Sequence, residues 1–171
     1  MKKLKDILAG VSYTVLTGTI DQEINDIKYD SRKVEKNDVY IALQGYNSDG
    51  HEYIPEAISK GAKVIIVSKI LNIIGDVTVI KVDDSRIALS YMSANYFDNP
   101  ATKLKVIGVT GTTGKTTTTH MIREMLLKSG IKCGLIGSIG IKYNNQVIHT
   151  NNTTPESYEV EKYFKEMLDH G

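Results

Sequence analysis

Apolar and polar positions along this chain change their spacing several times, and each change marks an expected element. Residues 3 to 9 carry apolar side chains at helical spacing and meet Gly10, which predicts one short amphipathic helix. Val15-Leu16 and the run from Ile24 to Tyr29 alternate in part and read as short strands, interrupted by Asp30-Ser31-Arg32. Asp38 to Leu43 resumes a β-rich run, closed by the turn-prone stretch Gly45 to Gly50. A helix is expected from Glu52 to Lys60, with Ile54, Ala57 and Ile58 on one face and Gly61 just past its end. Lys63 to Val67 and Val77 to Val82 read as buried strands. Asp83 or Asp84 then N-caps a helix to about Phe97, whose Ile87, Tyr91 and Ala94 share a face.

Asp98 to Thr102 is polar and holds Pro100, which places a boundary there and divides the chain into residues 1–99 and 100–171. Val106 to Val109 reads as a buried parallel strand. A helix follows with Met121, Ile122, Met125 and Leu126 at helical spacing and Gly130 as its C-cap. Ile131 to Ile136 is expected as a second strand, parallel to the first by the strand–helix–strand rule. Residues 139–149 read as a hairpin turning at Asn144-Asn145. A last helix is expected with Thr154 as N-cap and Pro155 in its first turn, its apolar stripe being Val160, Tyr163, Phe164 and Met167. The fold class is α/β: a small N-terminal α/β domain, then the start of a P-loop, Rossmann-like domain.

Chemistry concentrates where the strand ending at Val109 switches to helix. Gly108, Gly111 and Gly114 recur at every third position, followed by Lys115 and Thr116. The usual phosphate-loop pattern has its first glycine where this chain has Val109, so this is a variant of it. Backbone N–H groups of Gly111, Thr112, Thr113, Gly114 and the helix start at Lys115 to Thr117 attract phosphate oxygens. Lys115 adds a point charge, and the Thr116 hydroxyl can hold Mg²⁺. A Gly/Thr-rich turn merely capping a helix would also carry such residues, but Gly-Lys-Thr at the strand-to-helix switch favours nucleotide. Thr118 and Thr119 read as helix packing.

The net charge of +1 gives no electrostatic case for nucleic acid or an anionic membrane. No apolar run approaches the roughly 20 residues that span a bilayer. The Met1-Lys2-Lys3 start is interrupted by Asp6 and does not read as a signal peptide. Cys133 stands alone, which excludes an internal disulfide and fits a reducing cytoplasm. His51, His120, His149 and His170 have no metal-ligand spacing and are expected in surface or packing roles.

Three blocks in order resemble the Mur ligases. The first is Asp30-Ser31-Arg32 with Val34, Tyr40 to Gly45, and Asp49-Gly50-His51 with Tyr53 and Ile54, similar to the family's uridine-nucleotide-binding domain. The second is Gly108 to Thr117, similar to its ATP loop, with Thr113 where the family often carries Asn. The third is Gly134 to Gly140 with Asn152-Thr153-Thr154-Pro155, which resembles the branch that adds the third amino acid more than the sister MurF. The resemblance implies an ATP- and Mg²⁺-dependent ligase acting on UDP-MurNAc-L-Ala-D-Glu and an amino acid, through an acyl phosphate, in peptidoglycan synthesis in the cytoplasm. It implies Lys115 as the catalytic charge, Ser31 as a UDP-sugar contact, and Tyr46, Asn47 and Ser48 as uracil-side contacts. Asn152, Thr153 and Thr154 would meet the muramoyl-peptide end.

A P-loop domain ordinarily continues into strands that carry an acidic Mg²⁺ ligand, so the second domain is expected to be incomplete and the chain a fragment inactive alone. Two other readings stand beside the ligase: a small P-loop kinase or NTPase with an accessory domain, and a nucleotide-binding module without chemistry of its own.

Overall fold

The computed structural model describes residues 1–45, 48–144, 146–149 and 155–171. The chain divides into two compact units, Met1–Tyr96 and Phe97–Gly171.

In the first unit β1 (Lys2–Lys3) leads into α1 (Leu4–Ile7), and β2 (Tyr13–Thr17) follows. Next come β3 (Glu23–Ile24), β4 (Ile27–Lys28), a 3₁₀ turn Ser31–Lys33 and β5 (Val39–Ile41). A second 3₁₀ turn, Gly50–Tyr53, runs into α2 (Ile54–Ser59), then β6 (Val64–Val67), β7 (Thr78–Val82) and α3 (Ser85–Tyr96). The main sheet has the order β2-β7-β6-β5-β4; β4 to β7 are parallel and β2 joins antiparallel at the edge. β1 pairs separately with β3.

Every residue of β6 is buried, the mark of a parallel strand covered on both faces. Tyr40, Ala42, Ile65, Val67 and Val79 share one face and pack with Ile54 and Ala57 of α2. The alternate set, Val39, Ile41, Val64, Ile66 and Ile80, is equally inaccessible. Such alternation is what a period-two backbone imposes. α1 and α3 pack on each other, and Leu4, Ile7, Leu89 and Met92 are fully inaccessible.

The expected face of α3 is corrected by the structure. Its N-cap is Asp84, whose Oδ1 accepts from Arg86 N at 2.7 Å and Ile87 N at 3.1 Å. The buried residues are Ser85, Ala88, Leu89, Met92 and Ser93, whereas Ile87 and Tyr91 are 59% and 50% exposed. Small serines on the inward face let the helix approach closely, and an apolar count does not register them.

In the second unit a 3₁₀ turn, Pro100–Lys103, precedes α4 (Lys115–Lys128), β8 (Leu135–Gly137), β9 (Gly140–Tyr143), β10 (Gln146–Ile148) and α5 (Ser157–Asp169). α4 ends in a Schellman turn: Gly130 N–H reaches Leu127 O at 3.0 Å and Ile131 N–H reaches Leu126 O at 2.9 Å. The hairpin forms as expected, with Tyr143 opposite Gln146 and Asn144 in the left-handed region.

Three expectations are corrected here. Residues 106–109 pair with no strand among the described residues, and Val106 and Ile107 are 54% and 56% exposed. The second strand, β8, is shorter than expected and pairs antiparallel with β9 rather than parallel to the first. α5 begins at Ser157 with Glu156 as N-cap residue, so Pro155 lies before the helix; Thr154 is outside the described residues. The first two share a cause: a parallel strand needs flanking strands to take its backbone hydrogen bonds, and the described residues of 97–171 supply a three-stranded antiparallel sheet. In their place lies a cavity of about 880 Å³, lined by Leu104, Ile107, Val109, Leu126 and Phe164 among others.

Met92→Ala should lower the stability of the chain by about 2–5 kcal/mol, since a large inaccessible side chain leaves a cavity. Ile87→Ala should stay within about 0.5 kcal/mol. Urea midpoints of the two variants check the assignment of the α3 face.

Candidate functional site

Parallel strands align their carboxyl ends, and in open α/β sheets that edge is where ligands bind. In the first unit Ser31 follows β4, the stretch 44–49 follows β5, Ser68 and Lys69 follow β6, and Arg86 follows β7. Four loops therefore gather at one edge.

Ser31 is only 5% exposed, and its hydroxyl donates to Glu56 Oε2 at 2.6 Å. A hydroxyl has one proton, so Ser31 has only acceptor capacity left for a ligand. Beside it Asp30 receives Arg32 in a two-point contact, Nε to Oδ1 at 2.9 Å and the guanidinium Nη2 to Oδ2 at 2.8 Å. That contact holds the Asp30 carboxyl below its ordinary pKa. Glu56 is also held low, first by the Ser31 hydroxyl and then by Lys60.

The β5 loop is closed at its base by backbone. Gln44 and Asp49 form an antiparallel bridge, and Gly45 N–H donates to Ser48 O at 2.9 Å. Tyr40, whose hydroxyl donates to Gly50 O at 2.8 Å, supports it from the core; burial pushes that phenol up to about 12. Ser48 is exposed, while Tyr46 and Asn47 lie outside the described residues, as do Asn152, Thr153 and Thr154.

Sequence reasoning missed His51. It is buried, with Nδ1 2.6 Å from Asp49 Oδ1 and Nε2 3.2 Å from the Ser68 amide. Asp49 also takes Lys69 Nζ at 2.6 Å, and this pair, with His51, holds its carboxyl well below the usual range. Asp49 and His51 stood inside a quoted motif, but their partners are 20 and 17 residues away and meet them only because β5 and β6 are neighbours.

In the second unit Gly111 (φ 150°) and Gly114 (φ 78°) make the bend before α4, both in the region that glycine enters freely. A Cβ at Gly114 would meet nothing within 4 Å, so the bend is open rather than plugged. Gly114 occupies the N-cap position without a side-chain cap, and the first-turn N–H groups of α4 are left for a ligand. Lys115 Nζ donates to Gly111 O at 2.5 Å, folding back across the loop. Gly111, Thr112, Thr113, Gly114, Lys115 and Thr117 are exposed and Thr116 is half-buried. Donors, dipole and cation converge, so these residues fit a polyphosphate. Among the described residues no group of three His, Cys, Asp or Glu side chains gathers to hold a metal. No helix among them is long and apolar enough to cross a membrane.

These features define an α/β protein with an open glycine bend at the start of a helix. The profile described as "Mur ligase family, catalytic domain" matches residues 23–109, and that of the "Mur ligase middle domain" matches residues 109–171. The chain belongs to the Mur ligase family. It is 49% identical over 172 residues to the UDP-N-acetylmuramoyl-L-alanyl-D-glutamate--2,6-diaminopimelate ligase of Clostridium tetani, covering 99% of this chain and 36% of that protein. The ligase of the same name from Clostridioides difficile is 43% identical, over 99% of this chain and 35% of that protein. A solved structure of a ligase with this name matches 99% of this chain and 34% of its own, with a TM-score of 0.77 at 21% identity, which establishes the fold. A MurF ligase from Thermotoga maritima, solved in complex with ADP, matches 82% of this chain and 28% of its own, with a TM-score of 0.54 at 25% identity. The chain spans about a third of the length of the curated relatives it matches.

A carboxylate whose pKa is depressed in the folded state stabilises above its unfolded value, and the gain fades as pH falls toward the folded one. Asp49→Asn should therefore destabilise the chain fully at pH 7, and the gap to the parent should narrow below about pH 4. Urea unfolding at stepped pH checks this; a gap that stays constant down to about pH 2.5 contradicts it.

Proposed function

We propose that this chain provides the uridine-nucleotide domain and the ATP loop of a ligase that adds the third amino acid to UDP-MurNAc-L-Ala-D-Glu. The observation that carries this reading is the open glycine bend at the uncapped N-terminus of α4, with Lys115 beside it, in a chain of the Mur ligase family. The amino acid is 2,6-diaminopimelate in the relatives named above. Their higher identity favours this branch over MurF. The reaction is assigned to the cytoplasm, where ATP is available.

The residues divide the work as follows. Backbone N–H groups from Gly111 to Thr117 hold the polyphosphate. Lys115 leaves the Gly111 carbonyl and neutralises the oxygens of the transferring phosphoryl group, and Thr116 offers its hydroxyl to Mg²⁺. Mg²⁺ held there would supply charge neutralisation to the phosphates. Phosphoryl transfer needs positioning and charge neutralisation more than covalent chemistry from the protein. The terminal carboxylate of the dipeptide receives the phosphoryl group as the acyl phosphate, and the incoming amine then displaces phosphate. In the first unit Ser31 accepts a hydrogen bond from the uridine-linked substrate, and Tyr46, Asn47 and Ser48 meet its uracil side. Asn152, Thr153 and Thr154 take the muramoyl-peptide end.

In the full-length ligase Lys115→Ala should cut ATP turnover by about a hundredfold, the scale of losing one aligned charge-stabilising donor. Steady-state kinetics with saturating dipeptide nucleotide checks this, and an unchanged rate would remove the loop assignment.

A further inference from the structure

We propose that His51 is a positioning residue for the nucleotide site: it clamps the returning leg of the β5 loop to the end of β6, and so fixes where Ser48 stands. This rests on the reading of the first unit as the uridine site.

The two legs of the loop fix each other. Gly50 N–H donates to Leu43 O at 2.8 Å, and a Cβ at Gly50 would stand 2.6 Å from that same oxygen, so the legs touch through bare backbone. Contacts within the loop, however, cannot set its direction relative to the sheet. Tyr40 on β5 holds Gly50 O at 2.8 Å, and the bond that ties the returning leg to the neighbouring strand comes from the end of β6. The Ser68 amide can only donate, so Nε2 of His51 carries the lone pair and the ring proton sits on Nδ1. Nδ1–H then donates to Asp49 Oδ1, the same oxygen that accepts the His51 backbone N–H at 3.1 Å. The path from strand end to loop leg runs Ser68 amide, imidazole, Asp49 carboxylate, with each donor and acceptor assigned.

A second route joins the same elements, Lys69 Nζ to Asp49 Oδ2 at 2.6 Å. The Lys69 and Asp49 side chains are 46% and 23% exposed, against 5% for His51. Exposed ion pairs are screened and contribute little, whereas a buried charge-assisted hydrogen bond is retained. The histidine route therefore holds the loop, and the lysine route is secondary. Arg86 Nη2 reaches Gln44 O on the outgoing leg at 3.4 Å, which leaves the returning leg to Asp49 and His51.

The test uses the full-length ligase. His51→Phe keeps a ring in the buried space and removes the imidazole's hydrogen bonds to Asp49 Oδ1 and to Ser68. It should raise KM for UDP-MurNAc-L-Ala-D-Glu about tenfold while kcat and KM for ATP stay within about twofold. Asp49→Ala, which takes away the acceptor of Nδ1–H, should move the same KM in the same direction and carries the test if His51→Phe does not fold. Lys69→Ala should stay within about twofold of the parent. A packing role alone would leave His51→Phe near the parent in all three parameters, and that result overturns the clamp, as does a Lys69→Ala effect equal to that of His51→Phe. Ser48→Glu separates this inference from the reading beneath it. If a carboxylate at that position leaves KM unchanged, the loop does not meet the substrate and the uridine site falls with the clamp. If Ser48→Glu raises KM and His51→Phe does not, the clamp alone falls.

Discussion

The parallel pairing of β4 to β7 is the constraint on which the first unit depends. Parallel strands cannot be joined by tight hairpins, so each connection must return along a face of the sheet or across its end. That requirement buries both faces, explains the unbroken Val64-Ile65-Ile66-Val67 run, and sends successive loops out at the same edge. Ser31, the β5 loop and the Ser68-Lys69 pair come together for that reason, although 37 residues of sequence separate the first from the last in that set of serines.

Much of this was legible in the sequence. β6 was marked by a continuous β-branched run and β7 by a run that Lys81 alone interrupts, α2 by its spacing and Gly61, the hairpin by Asn144, and the α4 start by Gly-Lys-Thr. These signals are local, and local physics decides them. The unread parts depend on partners. The burial of Val106 to Val109 was inferred from composition, yet burial belongs to a run and its neighbours together, and the described residues of 97–171 offer no strand beside it. The α3 face was misread because Ser85 and Ser93 occupy inward positions where closeness, not hydrophobicity, selects the residue.

The candidate sites differ in the same way. The proposed phosphate loop is a contiguous motif, so its glycines, lysine and threonine could be named one by one. His51 could not, because its role is set by an amide on the next strand. A histidine judged by its spacing to other ligands looks idle, while one judged by its hydrogen bonds is fully engaged. Ser31 falls between: its place in the motif was visible, but the loss of its donor to Glu56 was not.

The Lys115 contact with Gly111 O has a consequence for what the loop accepts. The ammonium group is already solvated by the protein's own carbonyl, so an incoming anion gains only the difference between the two partners. A single weak charge gains little from that exchange; several phosphate oxygens acting together on the bend and the helix start gain a great deal. Under the proposed function the resting lysine would be an internal competitor, favouring a chain of phosphates over small ions in the cradle.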